Sequence, residues 1–326
     1  MKKIIIDTLG SDNGCIPIVS GALRALKNNA DVSVIFVGIK SEIENIVSCH
    51  SINKDRVSII HTEDFVPDDA MPMCVFRGCD KTSMVLSLET LKNDDEIIGM
   101  ISAGNTGALL VGTIFRLGLV SGLRSPALAT ALPCKEQGKV CLVDCGANTD
   151  CTPEDLKRYA IMGNAFMQAL EGIETPKVAL MSVGPSSSKG NALVKEAYPL
   201  IEKLPLNFIG NIEGCDLVNS EADVIVTDGF TGNVLLKNTV AAGMAAISVI
   251  ESFGEQSPAY KNITKKLHEM FAFNDRGGAV FLGASKTVIK MHGCANADTA
   301  FACVNQLLSL DSRDFSKKMA DAFKII

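Results

Sequence analysis

The 326-residue chain contains no tryptophan and only 3 tyrosines. Proteins that hold single-stranded nucleic acid stack its bases on aromatic side chains, and this composition offers few such surfaces. The charge also has the wrong sign, because 37 acidic residues outnumber 31 basic ones and leave a net charge of −6. A chain without an overall positive field does not condense on phosphate backbones. Both features argue against nucleic acid as a partner.

Signatures of metals and of common cofactors are missing as well. The 11 cysteines include no Cys-x-x-Cys pair and the 4 histidines are scattered, so we predict no metal site. No Gly-x-Gly-x-x-Gly follows the first apolar run, residues 4–6, which argues against a dinucleotide cofactor. Residues 186–191 lack the Gly-Lys-Ser/Thr order of a nucleotide-triphosphate loop. We therefore predict a protein that works without a cofactor.

Long hydrophobic segments are also scarce. The longest apolar stretch, residues 240–250, has Ser248 as its one polar residue and falls well short of the ~20 residues that span a bilayer. The N-terminal Met1-Lys2-Lys3 runs into three isoleucines and then Asp7, which is too short for the hydrophobic region of a signal peptide. We therefore expect a cytoplasmic protein.

What the chain does contain is a regular alternation of strand-like and helix-like segments. Residues 3–6 and 32–37 are rich in β-branched side chains, whereas residues 16–27 and 153–170 have helical periodicity. The alternation predicts an α/β fold with a parallel, doubly wound sheet in three layers, αβα. No Pro/Gly/Ser-rich linker divides the sequence, so we expect residues 1–326 to form a single catalytic unit.

Residues 234–274 interrupt this alternation with two helix-like segments and no strand between them. They predict a helical hairpin. Its second arm has apolar residues at spacings of three and four, with Lys261, Lys265 and Lys266 between them. Such an arm can contact a membrane surface or a partner subunit, or it can pack on its own domain, and the sequence leaves these readings open.

Four glycine-containing turns follow predicted strands. They are Asp7-Thr-Leu-Gly-Ser-Asp-Asn-Gly14, Ser102-Ala-Gly-Asn-Thr-Gly107, Asp144-Cys-Gly-Ala-Asn148 and Thr227-Asp-Gly-Phe-Thr-Gly-Asn233. In parallel sheets such turns precede helix N-termini, whose unpaired N–H groups attract anions. A single turn is explained equally well by glycine geometry and helix capping. Four of them together predict a common cradle for an anion.

Taken together, these segments resemble the PlsX family of phosphate acyltransferases along nearly the whole chain. The most specific matches are Ser102-Ala-Gly-Asn-Thr-Gly-Ala-Leu-Leu110, Leu142-Val-Asp-Cys-Gly-Ala-Asn148, Lys189-Gly-Asn-Ala-Leu-Val-Lys-Glu-Ala-Tyr198, Gly210-Asn-Ile-Glu-Gly214 and Val224-Ile-Val-Thr-Asp-Gly-Phe-Thr-Gly-Asn-Val-Leu-Leu-Lys237. The resemblance implies an enzyme that makes acyl phosphate from acyl-acyl carrier protein and inorganic phosphate, for fatty acid and phospholipid biosynthesis. It also implies a fold like that of phosphotransacetylases and of isocitrate and isopropylmalate dehydrogenases, a homodimer, and peripheral membrane contact through the hairpin.

Two departures from the family pattern keep alternatives open. Val183-Gly-Pro-Ser186 stands where the family carries Ile-Gly-Glu-Glu, and His292-Gly-Cys-Ala295 stands where it carries His-Gly-Ser-Ser. One alternative is phosphorolysis of a short-chain, acetyl thioester by a PlsX-like enzyme. The other is a paralogue that binds carrier protein without catalysis.

The resemblance and the placement of the turns together assign site residues. The phosphate-binding candidates are turn residues and lysines, namely Asn105, Thr106, Gly107, Thr231, Gly232, Asn233, Lys237 and Lys189. The catalytic candidates are His292, Lys290 and Asn233, with His292 assisting the departing thiolate. The substrate-binding candidates are Asp7, Asp12, Asp144, Asn148 and Asp228. Because bare carboxylates repel phosphate, the aspartates have the alternative role of orienting lysines or accepting backbone N–H groups.

Overall fold

The computed structural model describes residues 1–134, 138–253, 258–271 and 277–324. The chain divides into two compact units. Unit 1 comprises Met1–Pro126 and Arg276–Ile326, and unit 2 comprises Ala127–Asp275. The expectation of a single catalytic unit over residues 1–326 concerns activity and stays a prediction.

The strands of the described residues are β1 (Lys2–Asp7), β2 (Val32–Gly38), β3 (Val57–His61), β4 (Ile97–Ser102), β5 (Ala127–Cys134), β6 (Gly138–Val143), β7 (Lys177–Met181), β8 (Asn207–Ile212), β9 (Val224–Val226), β10 (Ala279–Leu282) and β11 (Thr287–Lys290). The helices are α1 (Cys15–Asn28), α2 (Lys40–Ser48), α3 (Ser83–Asn93), α4 (Thr106–Gly112), α5 (Pro153–Leu170), α6 (Ala192–Glu202), α7 (Gly229–Ser252), α8 (Pro258–Phe271), α9 (Ala297–Ser312) and α10 (Phe315–Ala322).

In unit 1 the strands lie in the order β3-β2-β1-β4-β11-β10. The first five run parallel to one another, and β10 runs antiparallel to β11. The central strand β1 has three consecutive isoleucines, each at most 1% exposed. A strand with both faces covered is apolar throughout instead of alternating, which is why this run forms the middle of the sheet.

In unit 2 the order is β5-β6-β9-β7-β8, with β6, β9, β7 and β8 parallel and β5 antiparallel to β6. Helix α5 packs on β6 and β9 and begins as the sequence predicts. Pro153 occupies its first turn, and Thr152 and Asp155 cap it reciprocally: the Asp155 N–H donates to Thr152 Oγ1 at 3.3 Å, and the Thr152 N–H donates to the Asp155 carboxylate at 2.9 Å.

The predicted α/β class, with helices layered on a largely parallel sheet, is confirmed. The sequence pattern does not reveal the two antiparallel strands, β5 and β10. Side chains alternate between the two faces of a strand in the same way whichever direction the strand runs. Only the connection indicates direction, and β10 and β11 are separated by residues 283–286 alone. That connection is too short for a parallel crossover.

The predicted hairpin corresponds to α7 and α8, which pack against each other. The Phe271 ring lies on Gly243, where a Cβ would overlap it. Helix α7 begins at Gly229, earlier than residue 234, because Asp228 accepts the Thr231 N–H at 2.8 Å and caps the helix there. Residues 254–257 and 272–274 of the predicted hairpin lie outside the described residues.

Among the described residues, one helix, α7, is long and apolar enough to cross a membrane by length and composition alone. It has 24 residues, and its most apolar window has a mean hydropathy of 1.4 and is 11% buried. No long apolar run marks this helix in the sequence, because Lys237 and Asn238 interrupt it. The first turn of α7 packs inside unit 2, where a Cβ on Gly232 would overlap the carbonyl oxygen of Asp144.

Candidate active site

Three residues that are distant in sequence end neighbouring strands of unit 1 at one level. In the sheet register, Asp7 of β1 pairs with Ser102 of β4, and Ser102 pairs with Lys290 of β11. Their exposed fractions are 1%, 0% and 9%, respectively. Open α/β sheets place their binding sites at the carboxyl ends of the strands, and this level is that end in unit 1.

Asp7 accepts hydrogen bonds from the residues around it. The Ser102 hydroxyl donates to one carboxylate oxygen at 2.8 Å, and the Leu9 N–H donates to the other at 3.2 Å. Ser102 Oγ in turn accepts the Gly104 N–H at 3.1 Å. Burial raises the pKa of Asp7, and the hydrogen bonds from serine side chains oppose that rise. A substrate would have to break these bonds, so the structure favours the alternative role, in which Asp7 orients the turn from Ser102 to Gly104.

Lys290 is a buried cation beside the same turn. Its ammonium group donates to the carbonyl oxygen of Ala103 at 3.0 Å and to that of Met291. Burial lowers the pKa of Lys290 to about 8, although three nearby aspartates, Asp68 foremost, favour the charged form. At neutral pH the ammonium group is therefore charged but poorly solvated. A cation in this state attracts an anionic ligand.

The turn that carries His292 is joined to the β1–α1 loop. The Asp12 N–H and the Ser11 hydroxyl both donate to the Gly293 carbonyl, at 2.9 and 3.0 Å. His292 is exposed, and its Nδ1 lies 3.1 Å from the Cys294 thiol. Asp12 is exposed, with its carboxylate against Gly293. Unit 1 therefore brings His292, Asp12 and, two residues before His292, Lys290 to one end of its sheet.

Asn105 caps helix α4, which continues as a π-helical turn, Thr113–Leu117. Its side-chain oxygen accepts the Ala108 N–H at 2.9 Å, and its amide donates to the carbonyls of Pro67 and Asp68, at 3.1 and 2.9 Å. Both polar atoms of the Asn105 side chain therefore already bond to other protein atoms. The cap accepts the Ala108 N–H and not those of Thr106 and Gly107, and N–H groups in the first turn of a helix attract anions. Phosphate binding by Asn105 stays a prediction.

In unit 2, Asp144 organises the turn that follows β6. Its carboxylate accepts the N–H groups of Leu128, Gly146, Ala147 and Asn148 and the side-chain amide of Asn148, at 2.8–3.2 Å. Burial raises the pKa of Asp144, and the hydrogen bonds from Ala147, Asn148 and Gly146 oppose the rise. The side chain is 0% exposed, so the structure again favours a loop-holding role over contact with substrate.

The start of α7 lies against this turn. The Gly229 N–H donates to the Asn148 carbonyl at 2.8 Å, and Asn233 lies next to Gly146. Asp228 accepts both the N–H and the hydroxyl of Thr231, at 2.8 and 2.7 Å, and its carbonyl accepts the Gly232 N–H at 2.9 Å. The cap therefore uses the donors that were predicted to bind phosphate at Thr231 and Gly232, and their role in binding stays a prediction.

The predicted residues divide between the two units. In unit 2, Asp144, Asn148, Asp228, Gly232 and Asn233 are brought together, whereas Lys189 and Lys237 are exposed side chains on the β7–α6 loop and on α7. The convergence of all the turns on one anion stays a prediction.

Two cavities border the predicted residues. One of 290 Å³ in unit 1 is lined by Asp12 together with Asp68, Glu42 and Phe65. One of 420 Å³ in unit 2 is lined by Asp228 and Thr231 together with residues that are not among the predicted ones, namely Thr149, Asp150, Cys151, Asn191, Leu193 and Phe230. Asn191 was available in the sequence as the last residue of Lys189-Gly-Asn191. Ser102, the partner of Asp7, likewise belongs to the predicted turn Ser102-Gly107, where the sequence assigns it no role of its own.

One other group of ligating side chains occurs among the described residues: Glu213, Cys215 and Asp216. Glu213 and Asp216 cap a short 3₁₀ turn reciprocally, with the Glu213 N–H donating to Asp216 at 3.2 Å. The group is therefore accounted for as a structural cap.

Asp144→Asn tests the loop-holding role. The substitution keeps the shape but turns an acceptor oxygen into a donor that faces N–H groups. We expect the free energy of unfolding to fall by about 3 kcal/mol, since each unsatisfied buried group costs about 1–3 kcal/mol. Asp228→Asn, at a half-buried cap where asparagine serves equally well, is the control and is expected to change it by less than about 0.5 kcal/mol. Urea unfolding followed by circular dichroism measures both, and equal losses would contradict the role.

Comparison with known proteins identifies the family of the chain. The sequence matches the family described as fatty acid synthesis protein over residues 2–318. It is 38% identical to the phosphate acyltransferase of Clostridioides difficile (strain 630) over 311 residues, 93% of this chain and 91% of that protein.

Solved structures share the fold at lower identity. A phosphotransacetylase from Streptococcus pyogenes superposes with a TM-score of 0.68 at 17% identity, covering 96% of this chain and 94% of that one. A protein from Salmonella typhimurium, described as a putative 4-hydroxythreonine-4-phosphate dehydrogenase, superposes with a TM-score of 0.51 at 10% identity, covering 95% and 99%. The predicted likeness to phosphotransacetylases and dehydrogenases is confirmed for the fold, and the chain belongs to the family of fatty acid synthesis proteins that includes the phosphate acyltransferases.

Proposed function

We propose that this protein is a phosphate acyltransferase that forms acyl phosphate from acyl-acyl carrier protein and inorganic phosphate, for fatty acid and phospholipid biosynthesis. The observation that carries the proposal is the 38% identity to a phosphate acyltransferase over 93% of the chain. The position of Lys290 supports it, because a buried ammonium group at the carboxyl end of the sheet suits an anionic substrate. Both units are proposed to serve one reaction as a single catalytic unit.

In this reaction a phosphate oxygen attacks the thioester carbonyl, the carbon–sulfur bond breaks, and the leaving thiolate takes up a proton. Phosphate is itself the nucleophile, so the protein has to hold an anion and stabilise the developing oxyanion. We assign charge neutralisation to Lys290, and anion binding to the N–H groups of Thr106 and Gly107 and the side chain of Asn233. His292 supplies the proton to the thiolate. Lys189 and Lys237 are proposed to attract phosphate from solvent.

A strip of exposed apolar side chains runs beside helix α4. It favours a thioester with a long acyl chain as the substrate over an acetyl thioester. The apolar strip consists of Met71, Met73, Phe76 and Phe115, which are 78%, 50%, 38% and 50% exposed. The rings of Phe76 and Phe115 lie 4.8 Å apart between centroids. The intervening Pro72 packs on Gly107, so the strip starts at the proposed anion site and extends about 12 Å along the helix.

We propose that the acyl chain lies along this strip. Each methylene group removed from water contributes about 0.8 kcal/mol, so the strip would favour long chains strongly. Methionine side chains adapt to chains of different length, which suits a substrate that varies.

The resemblance to the family also suggests the oligomeric state of the protein and its place in the cell. We propose a homodimer in the cytoplasm with peripheral membrane contact through α7 and α8. The exposed Val249, Phe253 and Ile263 support the contact, since apolar side chains on a hairpin surface suit the headgroup boundary. Sedimentation of the purified protein tests the dimer, and flotation with anionic vesicles tests the contact.

The reaction is tested with purified protein and three thioesters: long-chain acyl-carrier protein, acetyl-carrier protein and acyl-coenzyme A. Thiol release is followed with and without phosphate, and acyl phosphate is trapped with hydroxylamine. We expect phosphate-dependent release and trapped product from the long-chain carrier substrate. Turnover of acetyl substrates alone would favour the short-chain alternative, and turnover of none would favour the non-catalytic one.

The pH dependence tests Lys290. Because its pKa is lowered to about 8, the cation is present below pH 8 and is lost as pH rises through that value. We expect kcat/KM for phosphate to fall above pH 8 and Lys290→Arg, which stays protonated, to remove that decline. Lys290→Met should lower kcat/KM about 100-fold at pH 7, the scale of losing one charge-stabilising donor.

The control is Lys286→Met, on the same segment, whose ammonium group donates to Leu91 and Asp95 instead. It should keep both the rate and the decline above pH 8. A decline that persists in Lys290→Arg would assign the titration to another group.

The acyl strip is tested with Phe115→Asp. A charge on the strip should raise KM for the long-chain substrate at least about tenfold, since it removes apolar contact and introduces a carboxylate that loses hydration. The acetyl substrate should be unaffected. Ile16→Asp, at a 65% exposed position on α1, serves as the matched control. Equal effects of Phe115→Asp on both substrates would place the acyl chain elsewhere.

A further inference from the structure

Arg116 lies on the π-helical turn that follows α4, directly after Phe115 of the apolar strip. The other members of the strip lie on or directly before a 3₁₀ turn, Pro72–Phe76, which packs against α4. The strip is therefore assembled from two segments that are distant in sequence. Its shape depends on the contacts that hold these segments together.

The guanidinium group of Arg116 joins the two segments. Its Nε donates to the Val75 carbonyl at 2.8 Å, and its Nη2 donates to the Phe76 carbonyl at 3.4 Å and to the Asp80 carboxylate at 2.6 Å. The Arg116 side chain is 20% exposed, so little water competes for these acceptors. One side chain therefore fixes the backbone of Phe76 relative to the turn that carries Phe115.

Arg116 is itself held by helix α3. Its carbonyl oxygen accepts the Lys92 ammonium group at 2.7 Å, and its Nη1 lies 3.5 Å from the Glu89 carboxylate. On the opposite side, Gly78 turns the chain between Phe76 and Asp80 with a φ of 104°, a conformation that favours glycine. Support of this kind holds a side chain and the segment that it binds in one arrangement.

The arrangement of the acceptors requires an arginine. A guanidinium group presents several donors in fixed directions, whereas the ammonium group of lysine is a single point charge. The bonds to the carbonyls of Val75 and Phe76 fix the backbone directly. The Asp80 side chain is 68% exposed, and an ion pair with so exposed a partner contributes less.

We propose that Arg116 is a positioning residue that holds the apolar strip together and thereby determines the preference for long acyl chains. The rings of Phe76 and Phe115 are in contact, with 4.8 Å between their centroids. Without the bonds from Arg116, the 3₁₀ turn moves relative to Phe115, and methylene groups that lie on the strip lose apolar contact. An acetyl group does not reach along the strip and is unaffected.

This inference deepens the proposed function and rests on it for the identity of the ligand, an acyl thioester, and for its place on the strip. Arg116 does not touch the reacting atoms. Its effect is therefore expected in the binding of long chains and not in the chemical step.

The experiment measures binding without turnover. Octanoyl-coenzyme A and acetyl-coenzyme A are each titrated into the purified protein by calorimetry in the absence of phosphate. The ratio of their dissociation constants gives the preference for the longer chain. Arg116→Met should reduce this preference about tenfold by weakening octanoyl binding alone, the scale of two methylene groups that lose contact. Arg116→Lys keeps the charge but not the directed donors, and it should reduce the preference to the same extent.

Two further variants make the result specific. Arg24→Met is the matched control, because Arg24 also forms an ion pair at 2.6 Å, but between α1 and Asp298 of α9, and it should keep the wild-type preference. Asp80→Ala removes an exposed partner of Arg116 and leaves no buried gap. It should reduce the preference about threefold, and it provides the test if Arg116→Met does not fold.

An unchanged preference in Arg116→Met, or in Asp80→Ala where Arg116→Met does not fold, would overturn the inference. A wild-type preference in Arg116→Lys would overturn it too, as would equal losses of octanoyl and acetyl binding, which mark a merely structural residue. None of these results affects the proposed reaction, which is judged by whether the wild-type protein forms acyl phosphate. If it forms none while the preference shifts as expected, the proposed function is overturned and the inference stands.

Discussion

Charged groups are buried at the carboxyl ends of the strands, and the candidate site depends on how they are compensated. A lone buried carboxylate or ammonium group is strongly destabilising, so each has to be paired or surrounded by donors and acceptors. Asp144 meets this requirement with N–H donors of its own turn, and Lys290 with the carbonyls of Ala103 and Met291. Because every such bond reaches into a loop, satisfying the charge also fixes the loop.

Much of the fold follows from local patterns in the sequence. The isoleucines of β1 mark a strand covered on both faces, and the Thr-Pro-Glu-Asp sequence at 152–155 marks the start of α5. The direction of β5 and β10 does not follow, because alternation carries no direction. The start of α7 was placed too late, since Gly229 and Gly232 suggest a turn, whereas Asp228 and close packing on Asp144 make them helical.

The turns of the candidate site were predictable in place, but the role of each of their atoms was not. All four glycine-containing turns follow strands or precede helices as predicted, because the residue types that permit such turns are visible in the sequence. The same types, however, serve both as helix caps and as anion ligands. Asn105 and Thr231 show the ambiguity: their polar atoms are used by Pro67, Asp68, Ala108 and Asp228. The sequence cannot distinguish these uses, because the partners lie on other segments or depend on the exact first residue of a helix.

The surroundings of Lys290 explain why aspartates accompany an anion-binding site at all. Burial lowers the pKa of the lysine, and Asp68, Asp7 and Asp12 nearby oppose that shift, so without them the pKa would fall further. The carboxylates favour the protonated ammonium group, while their own hydrogen bonds, as between Asp7 and Ser102, hold them within the protein. The two opposing effects leave a cation that is charged yet short of solvent. An incoming phosphate would supply the solvation that this cation lacks, which is the physical reason to expect binding there and not at the exposed Lys237.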